Sequence, residues 1–300
     1  MPALLLTALM STAITPAALS AGLKPGVPAA PDCRTVTPAI AARAALGGPG
    51  RHSGSARVQP QIARRGELTG RVLSVQLANG AAVNVNLPVE SHVGEATGDL
   101  ILYTRHTAAA GSEVRALNLA NGCDVSLATP TEIVRSSVLD QTANFLYVHS
   151  VSRGPRADAG VVRFELATGR QTQVVAPLRP ADDFGPIFGT GLHWSVDGAA
   201  LAAQSCGFGS CLTRVLDVAT GKVKRLDAAG QGAFIGLTAG HLVTFAACAG
   251  LPCDVLSTDL ATGAVTVLAV DAFAAELTPV GAGRALVSIQ TSAGSMEVLQ

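Results

Sequence analysis

Four cysteines stand in two pairs of equal spacing, and they are the residues whose types and positions most clearly permit chemistry in this sequence. Four residues separate Cys206 from Cys211 and Cys248 from Cys253, and the second pair follows the first by 42 residues. In an oxidising compartment each pair predicts a disulfide that closes a small loop and stabilises the fold by roughly 2 kcal/mol. One alternative is a four-thiolate zinc site, which this spacing allows if the two loops converge on one ion, and the other is free thiols. We expect disulfides, with no metal and no cofactor.

The two remaining cysteines are Cys33, near the N-terminus, and Cys123. They are left over once the two closely spaced pairs have formed. We expect a third disulfide between them, which would attach the N-terminal segment to the first repeat described below.

None of the common catalytic motifs is present: the sequence lacks a phosphate-binding loop, a dinucleotide-binding glycine pattern, H-E-x-x-H and G-x-S-x-G. Ser210, in G-F-G-S-C, lies inside a predicted disulfide loop and is not expected to act as a nucleophile. The histidines are scattered without the spacing of metal ligands; they are His52, His92, His106, His149, His193 and His241. Of these, His193 could face a central channel, although a packed histidine is the simpler interpretation. We predict no catalytic residue.

Charge and hydropathy exclude two classes of function. The 300 residues include 21 basic and 21 acidic side chains, so the net charge is zero, and no basic stripe of the kind that binds nucleic acid occurs. After the N-terminus no apolar run is long enough to span a bilayer, so we expect no membrane span in the mature chain. Hydrophobic residues, at 48%, suffice for a large core.

Residues 1–21 predict an export signal, because they are uncharged and end in small residues that suit cleavage after Ser20. A retained membrane anchor is the alternative, although Pro16 and the many Ala, Ser and Thr residues disfavour insertion. Residues 22–66 are rich in Pro, Gly and Ala and predict a linker with one short helix that begins at Thr37. We therefore expect an extracytoplasmic protein that is secreted, periplasmic or associated with the cell envelope.

The elements that must position these residues form a repeat. Five related pentapeptides end in glycine: QLANG (76–80), NLANG (118–122), ELATG (165–169), DVATG (217–221) and DLATG (259–263). Each joins two β-rich runs and predicts a tight hairpin with a three-residue loop, in which the glycine adopts a positive φ. The polar residue four positions before each glycine is expected to bond to the turn backbone.

A second hairpin family lies between the pentapeptides, each member with a Gly or Asn turn before an apolar strand. Its segments are 95–104, 139–150, 195–204, 237–246 and 281–290. The two families together give four strands, A to D, about every 45 residues, which is typical of a propeller blade. Residues 67–300 therefore predict an all-β propeller of five four-stranded blades. Strands near 276–291 and the hairpin 71–87 would complete one blade from the two ends, with strand 295–300 competing for the hairpin's place.

One blade carries a family signature. LHWSVDGAALAA (192–203) resembles the Trp-Ser-x-Asp-Gly turn of the TolB-like and WD40-like propellers, with Val196 where proline is usual. VLDVATGKV (215–223) is similar to the C–D hairpin of the same superfamily and of the YVTN-type propellers. The resemblance implies the fold over most of residues 67–300. Such families include periplasmic interaction proteins and peptidase-associated propellers, so the resemblance implies no single activity.

The two loop faces of the predicted propeller differ. The A–B and C–D turns are short, whereas the B–C and D–A loops are long, and long loops on a rigid scaffold are where binding residues concentrate. The candidate binding residues in these loops are Arg153, Arg156, Asp182, Asp183, Phe184 and Phe188. The alternative is a solvated loop whose phenylalanines pack between blades.

The predicted function is that of an exported, non-catalytic propeller that binds a protein or a small ligand at this loop face. The alternative is a hydrolase or lyase of the same fold that acts on an extracytoplasmic saccharide. Such an enzyme needs two carboxylates on inner strands, for which only Glu95 and Glu276 qualify. It also needs aromatic platforms for sugars, and aromatic residues make up 4% of the chain.

Overall fold

A computed structural model describes residues 55–62, 68–76, 82–87, 91, 93–97, 100–107, 111–118, 123–152, 157–178, 187, 189–207, 211–226, 231–248 and 250–300. Across these ranges the chain forms 21 strands and no helix, so the predicted all-β class is confirmed. The predicted signal (1–21) and the predicted short helix lie outside the described residues. Strand β1 lies within the stretch 22–66 that was predicted as linker.

Antiparallel pairing assembles the strands into five sheets. The first sheet contains β1 (Ser55–Ile62), β2 (Leu68–Gln76) and β3 (Ala82–Leu87). The second contains β4 (Val93–Thr97), β5 (Leu100–Thr107), β6 (Gly111–Asn118) and β7 (Asp124–Ala128). The third contains β8 (Ile133–Leu139), β9 (Phe145–Val151), β10 (Asp158–Glu165) and β11 (Gln171–Val175).

The fourth sheet contains β12 (Gly189–Trp194), β13 (Ala200–Cys206), β14 (Cys211–Asp217) and β15 (Val223–Leu226). The fifth contains β16 (Gln231–Leu237), β17 (His241–Ala246), β18 (Cys253–Asp259), β19 (Val265–Gly281), β20 (Arg284–Thr291) and β21 (Gly294–Leu299). In every sheet the strands follow one another in space as they do in sequence. This is the meander that hairpin turns at both strand ends produce.

The repeated pentapeptides form hairpins for the predicted physical reason. Asp217 accepts a hydrogen bond at Oδ1 from the Thr220 amide (2.8 Å), and its carbonyl accepts one from the Gly221 amide (2.9 Å). Gly221 has φ of 70°, a conformation that costs other residues roughly 1–2 kcal/mol. The Asp217 amide bonds to the Lys222 carbonyl, so residues 218–221 form a four-residue loop rather than the predicted three-residue loop.

Each sheet packs on the next sheet along the chain, and the described core residues form five separate clusters. Leu73 of β2 and Tyr103 of β5 share one apolar cluster between the first and second sheets. Further clusters join the second sheet to the third, the third to the fourth, and the fourth to the fifth. The first strands β4, β8, β12 and β16 contact one another in succession. The second to fifth sheets therefore meet along their first strands.

Turns between first and second strands connect neighbouring sheets by hydrogen bonds. The indole Nε1 of Trp194 donates to the Leu139 carbonyl (2.8 Å), so the tryptophan of the W-S-x-D-G motif joins the third sheet to the fourth. The Val196 amide donates to the Leu237 carbonyl (3.0 Å), which joins the fourth sheet to the fifth. Each turn is thus fixed by the turn of its neighbour.

The two chain ends pair differently from the expected mixed blade. In the described strands the hairpin β2–β3 pairs with β1, and residues 276–291 pair with one another and with β21. The physical reason is continuity. Strand β19 runs from the last strand position of one unit into the first position of the next, and β20 and β21 follow by short turns. Strand β21 therefore occupies the edge of β20 that the N-terminal hairpin was expected to use.

Candidate binding site

Two disulfides stand at neighbouring B–C loops, where the loops leave the sheet. Cys206 and Cys211 are bonded across the β13–β14 connection with Cα atoms 4.0 Å apart. Cys248 and Cys253 are bonded across the β17–β18 connection with Cα atoms 6.1 Å apart. Because these sulfurs are bonded to each other, they do not form the alternative zinc site. Cys123 is disulfide-bonded as well, and its predicted partner Cys33 lies outside the described residues.

The disulfide loops border an open cleft of about 320 Å³. Its described lining carries no charged side chain and is composed of Gly207, Cys211, Gly232, Ala233, Phe245, Ala246, Ala247, Cys248, Gly250, Leu251 and Cys253. Leu251, at its rim, is 60% exposed. The cleft therefore offers a neutral, apolar surface beside the loops that the sequence singled out.

The predicted binding residues of the 152–160 and 176–190 loops, Arg153, Arg156, Asp182, Asp183, Phe184 and Phe188, lie outside the described residues. The structure does describe both ends of the 176–190 loop. It leaves β11 through Ala176, Pro177 and Leu178, and it returns through Ile187, which is 3% exposed, into β12.

A fully buried ionic cluster lies beneath the outgoing end of that loop. The Asp158 carboxylate, at the start of β10, accepts hydrogen bonds at Oδ2 from His149 Nε2 (2.7 Å) and Arg214 Nη2 (2.7 Å). Ser205 Oγ donates to the same oxygen, and the Gly160 amide donates to Oδ1 (2.7 Å). His149 and Asp158 belong to the third sheet, and Ser205 and Arg214 to the fourth. The cluster therefore joins the two sheets.

The electrostatics of the cluster follow from burial and partners. Burial alone would raise the pKa of Asp158, but hydrogen bonding and charge from His149, then from Arg214, outweigh it and hold that pKa far below its usual range. Asp158 therefore stays ionised and is compensated by the guanidinium. A buried pair of this kind contributes only when its geometry and hydrogen bonds are good, as they are at this carboxylate.

Although Ser205, His149 and Asp158 are the residue types of a hydrolytic triad, their arrangement does not perform that chemistry. In a triad the histidine bonds the acid through Nδ1 and the serine through Nε2. Here His149 Nε2 faces both Asp158 Oδ2 and Ser205 Oγ (3.4 Å), and the serine hydroxyl is held by the carboxylate. Ser205 and His149 are 0% exposed and Asp158 is 3% exposed, so a substrate cannot reach them.

Arg214 connects the buried cluster to the 176–190 loop. Its Nη1 donates to the Ala176 carbonyl (2.5 Å), the first residue after β11, so the buried charge fixes the backbone where the 176–190 loop departs. At the other end the Leu192 amide donates to Ser136 Oγ (3.0 Å), which fixes β12 to β8. A long loop with both ends fixed in this way is suited to binding.

A second cleft, of about 550 Å³, opens at the outgoing end of the loop between the third and fourth sheets. Its described lining consists of Gln173, Val174, Val175, Ala176, Pro177, Leu178, Arg214, Val223 and Arg225. Ala176, Pro177 and Leu178 belong to the loop itself. The predicted loop therefore starts in the wall of a cleft.

The structure describes two of the other residues that the sequence singled out, His193 and Glu276. The His193 ring stacks on Phe234 of the next sheet, with centroids 3.8 Å apart, and burial lowers the pKa of His193 to about 4. It is thus packed between two first strands. Glu276 is exposed on β19, while the Glu95 side chain and Ser210 lie outside the described positions. Among the described residues no group of His, Cys, Asp and Glu could hold a metal ion.

The sequence analysis missed the buried cluster, although a weak signal for it exists. Arg214 lies in the apolar strand C-L-T-R-V-L-D, and His149 lies in F-L-Y-V-H-S-V. A charged residue inside an otherwise apolar central strand requires a buried partner. That rule would have flagged both residues, but Asp158 lies near a loop and gives no such signal.

Comparison with solved structures bears on the fold. The structure matches the acylaminoacyl peptidase of Pyrococcus horikoshii with a TM-score of 0.51 and 9% identity, over 83% of this chain and 43% of that one. It also matches the β-propeller domain of the Trilobed protease from Pyrococcus furiosus, with a TM-score of 0.50 and 8% identity, over 83% and 80% of the two chains. The chain is a β-propeller. The β-propeller fold that the W-S-x-D-G resemblance implied is thus confirmed.

TolB from Acinetobacter baumannii matches as well, with a TM-score of 0.49 and 15% identity, over 82% of this propeller chain and 63% of that one. The propeller thus spans less than two thirds of both the TolB chain and the peptidase chain. No protein-family model and no curated protein sequence matches it. Within the described residues, no helix is long and apolar enough to cross a membrane.

Proposed function

We propose that this propeller is an exported, non-catalytic binding module that takes a protein partner at its B–C and D–A loop face. Its five sheets are the five blades, with additional strands in the last. The recognition residues are Arg153, Arg156, Asp182, Asp183, Phe184 and Phe188. The observation that carries the proposal is the fixed outgoing end of the 176–190 loop, held by Arg214 through the Ala176 carbonyl.

The contrast between the two loop faces supports this choice of surface. On the face of the C–D hairpins, the described turns are short and their polar groups are used internally, as Asp217 and Asp259 show. On the opposite face, the apolar cleft adjoins the two disulfide loops, and the second cleft adjoins the long 176–190 loop beside Arg214 and Arg225. One apolar cleft and one cleft lined by arginines on the same face suit a protein surface with apolar anchors and a charged rim.

Export completes the proposal. Two described disulfides with short loops suit an oxidising compartment, and residues 1–21 have the composition of a cleavable signal. Intact-mass measurement of protein purified from its native host tests this directly. Export predicts loss of about twenty N-terminal residues and a gain of two hydrogens per disulfide on reduction. A full-length mass with free thiols would contradict it.

The binding role is tested by a loop variant in which Asp182, Asp183, Phe184 and Phe188 are replaced by alanine. Cross-linked extracts of the native host are captured on the wild type and on the variant. Proteins retained by the wild type and lost from the loop variant are then purified and titrated against both. We expect binding to fall at least a hundredfold while the thermal unfolding midpoint is unchanged.

The matched control changes charge on the other face. Arg170→Ala and Lys222→Ala both lie in exposed C–D hairpins, and together they should retain full binding. If the loop variant binds as tightly as the wild type, or if the hairpin control loses binding instead, the proposed site is wrong. Turnover of an oligosaccharide by the wild type would favour the hydrolase or lyase.

A further inference from the structure

The final strand, β21, is anomalous among the third strands of the units. In the complete units the third strands β6, β10, β14 and β18 each have at most one exposed residue. Strand β21 occupies the same position after β19 and β20, yet five of its six residues are exposed. Like β6, it starts with a Gly-Ser pair whose glycine has positive φ, so its sequence is that of an ordinary third strand.

The cause of this exposure is that no other described strand pairs with the outer edge of β21. Each of the second, third and fourth sheets has a fourth strand that buries an apolar side chain, such as Val175 of β11 or Leu226 of β15. In the described residues β21 pairs only with β20, and its outer edge is free. Met296 and Leu299 are 40% and 53% exposed. The strand has no Lys or Pro, the residues that usually protect a free edge.

The alternation of backbone hydrogen bonds along β21 determines which of its backbone groups are available to another strand. Ala285 and Gln300 exchange both backbone hydrogen bonds at 2.8 Å, so Gln300 faces β20. Because the phase alternates in an antiparallel ladder, Val298 and Met296 also bond to β20. The backbone groups of Ser295, Glu297 and Leu299 therefore point outward and can bond to another strand.

We propose that the edge of β21 pairs with the same edge of a second copy of this chain, in antiparallel orientation about a two-fold axis. Outward-facing residues must pair with outward-facing residues, which limits the possible registers. A register centred on Glu297 would place two carboxylates opposite each other, which is unfavourable. Centring on Met296 pairs Ser295 with Glu297 of the other copy and places the small Gly294 opposite Val298.

The Met296-centred register also continues the core. Met296 and Val298 are cross-strand neighbours of Ile289 and Val287, whose side chains are fully buried. A two-fold axis perpendicular to the sheet keeps these side chains on one face in both copies. The apolar layer of the last sheet therefore extends across the interface, and the edge carries one charged side chain per copy, Glu297.

Two variants at one position test the pairing. Glu297→Pro removes an outward N–H that β20 does not use, whereas Glu297→Ala keeps that N–H and removes the charge. By light scattering after size exclusion, the wild type and Glu297→Ala should have twice the monomer mass at high concentration. Glu297→Pro should have the monomer mass with its circular dichroism unchanged. A monomeric wild type at every concentration would overturn the proposal.

Cysteine cross-linking tests the register and does not depend on the proline variant folding. In the proposed register Met296 is a non-hydrogen-bonded pair with its own copy, with Cα atoms about 4.5 Å apart, close enough for a disulfide. Met296→Cys should give a covalent dimer on mild oxidation, and Val298→Cys, which faces Gly294, should not. Equal cross-linking of both variants, or none, would refute the register. A monomer whose Ser295, Glu297 and Leu299 amides resist hydrogen exchange would instead show that the chain itself covers the edge.

Discussion

Replacing Arg214 by methionine should destabilise the protein strongly, because it leaves the Asp158 carboxylate buried without its fixed positive charge. The carboxylate would keep His149, Ser205 and the Gly160 amide, but the buried guanidinium and its bond to the Ala176 carbonyl would be lost. Breaking a buried pair by removing one partner costs about 3–5 kcal/mol. We expect the free energy of unfolding to fall by about that amount at pH 7.

The assay is urea unfolding of the oxidised protein followed by tryptophan fluorescence and circular dichroism. Trp194 lies at the boundary between the third and fourth sheets, so its emission reports on the same interface. The double variant Asp158→Asn with Arg214→Met removes both charges. Its loss of unfolding free energy should be well below the sum of the losses in the two single variants. Additive losses would refute the idea that the pair acts as one unit. So would a loss below about 1 kcal/mol for Arg214→Met, the range of a surface pair.

The pH dependence of the pair has a definite sign. The pKa of Asp158 is lower in the folded state than in the unfolded state, so the unfolded state binds more protons in acid. The stabilisation is complete above about pH 4 and is lost as the pH falls below that value. In Asp158→Asn this acid-dependent loss should be smaller.

Three further predictions concern His193, Gly160 and the Cys206–Cys211 disulfide. Burial lowers the pKa of His193 to about 4, so stability should fall by up to about 3 kcal/mol between pH 6.5 and 4, and His193→Phe should flatten urea midpoints across that range. In thermal melts Gly160→Ala should destabilise the protein several times more than Gly263→Ala. Both glycines have positive φ, but a Cβ at Gly160 would lie 2.2 Å from the Val175 carbonyl oxygen, whereas a Cβ at Gly263 would meet open space. Equal losses of stability in the two variants would contradict this. Replacing Cys206 and Cys211 together by serine should cost about 2 kcal/mol in urea unfolding, and an unchanged midpoint would show that the closed loop contributes nothing.

The sequence predicted the parts of the fold that depend on local chemistry. Asp217 and Gly221 indicate a hairpin because the Asp217 side chain bonds to the turn backbone and Gly221 permits positive φ. Both signals lie within five consecutive residues. The W-S-x-D-G motif indicated the correct fold for a similar reason. Pairing at the chain ends was not predictable in this way, because β21 and the N-terminal hairpin are both compatible with the edge of β20.

The candidate site was only partly predictable. Loop length identified the 176–190 segment, and the structure adds why its outgoing end is fixed. The fixing depends on Arg214 and Asp158, which are 56 residues apart and belong to different sheets. A contact of this kind leaves no local pattern, since each residue by itself resembles an isolated polar substitution in a strand.

Site-specific photo-cross-linking in the native host tests the central claim, that the long-loop face binds a partner, most directly. A photoreactive phenylalanine analogue is placed at Phe184 in one variant and at Ala219, in a hairpin of the opposite face, in another. The account predicts a discrete adduct from position 184 and none from position 219. Adducts from position 219 alone, or from neither position, would contradict it.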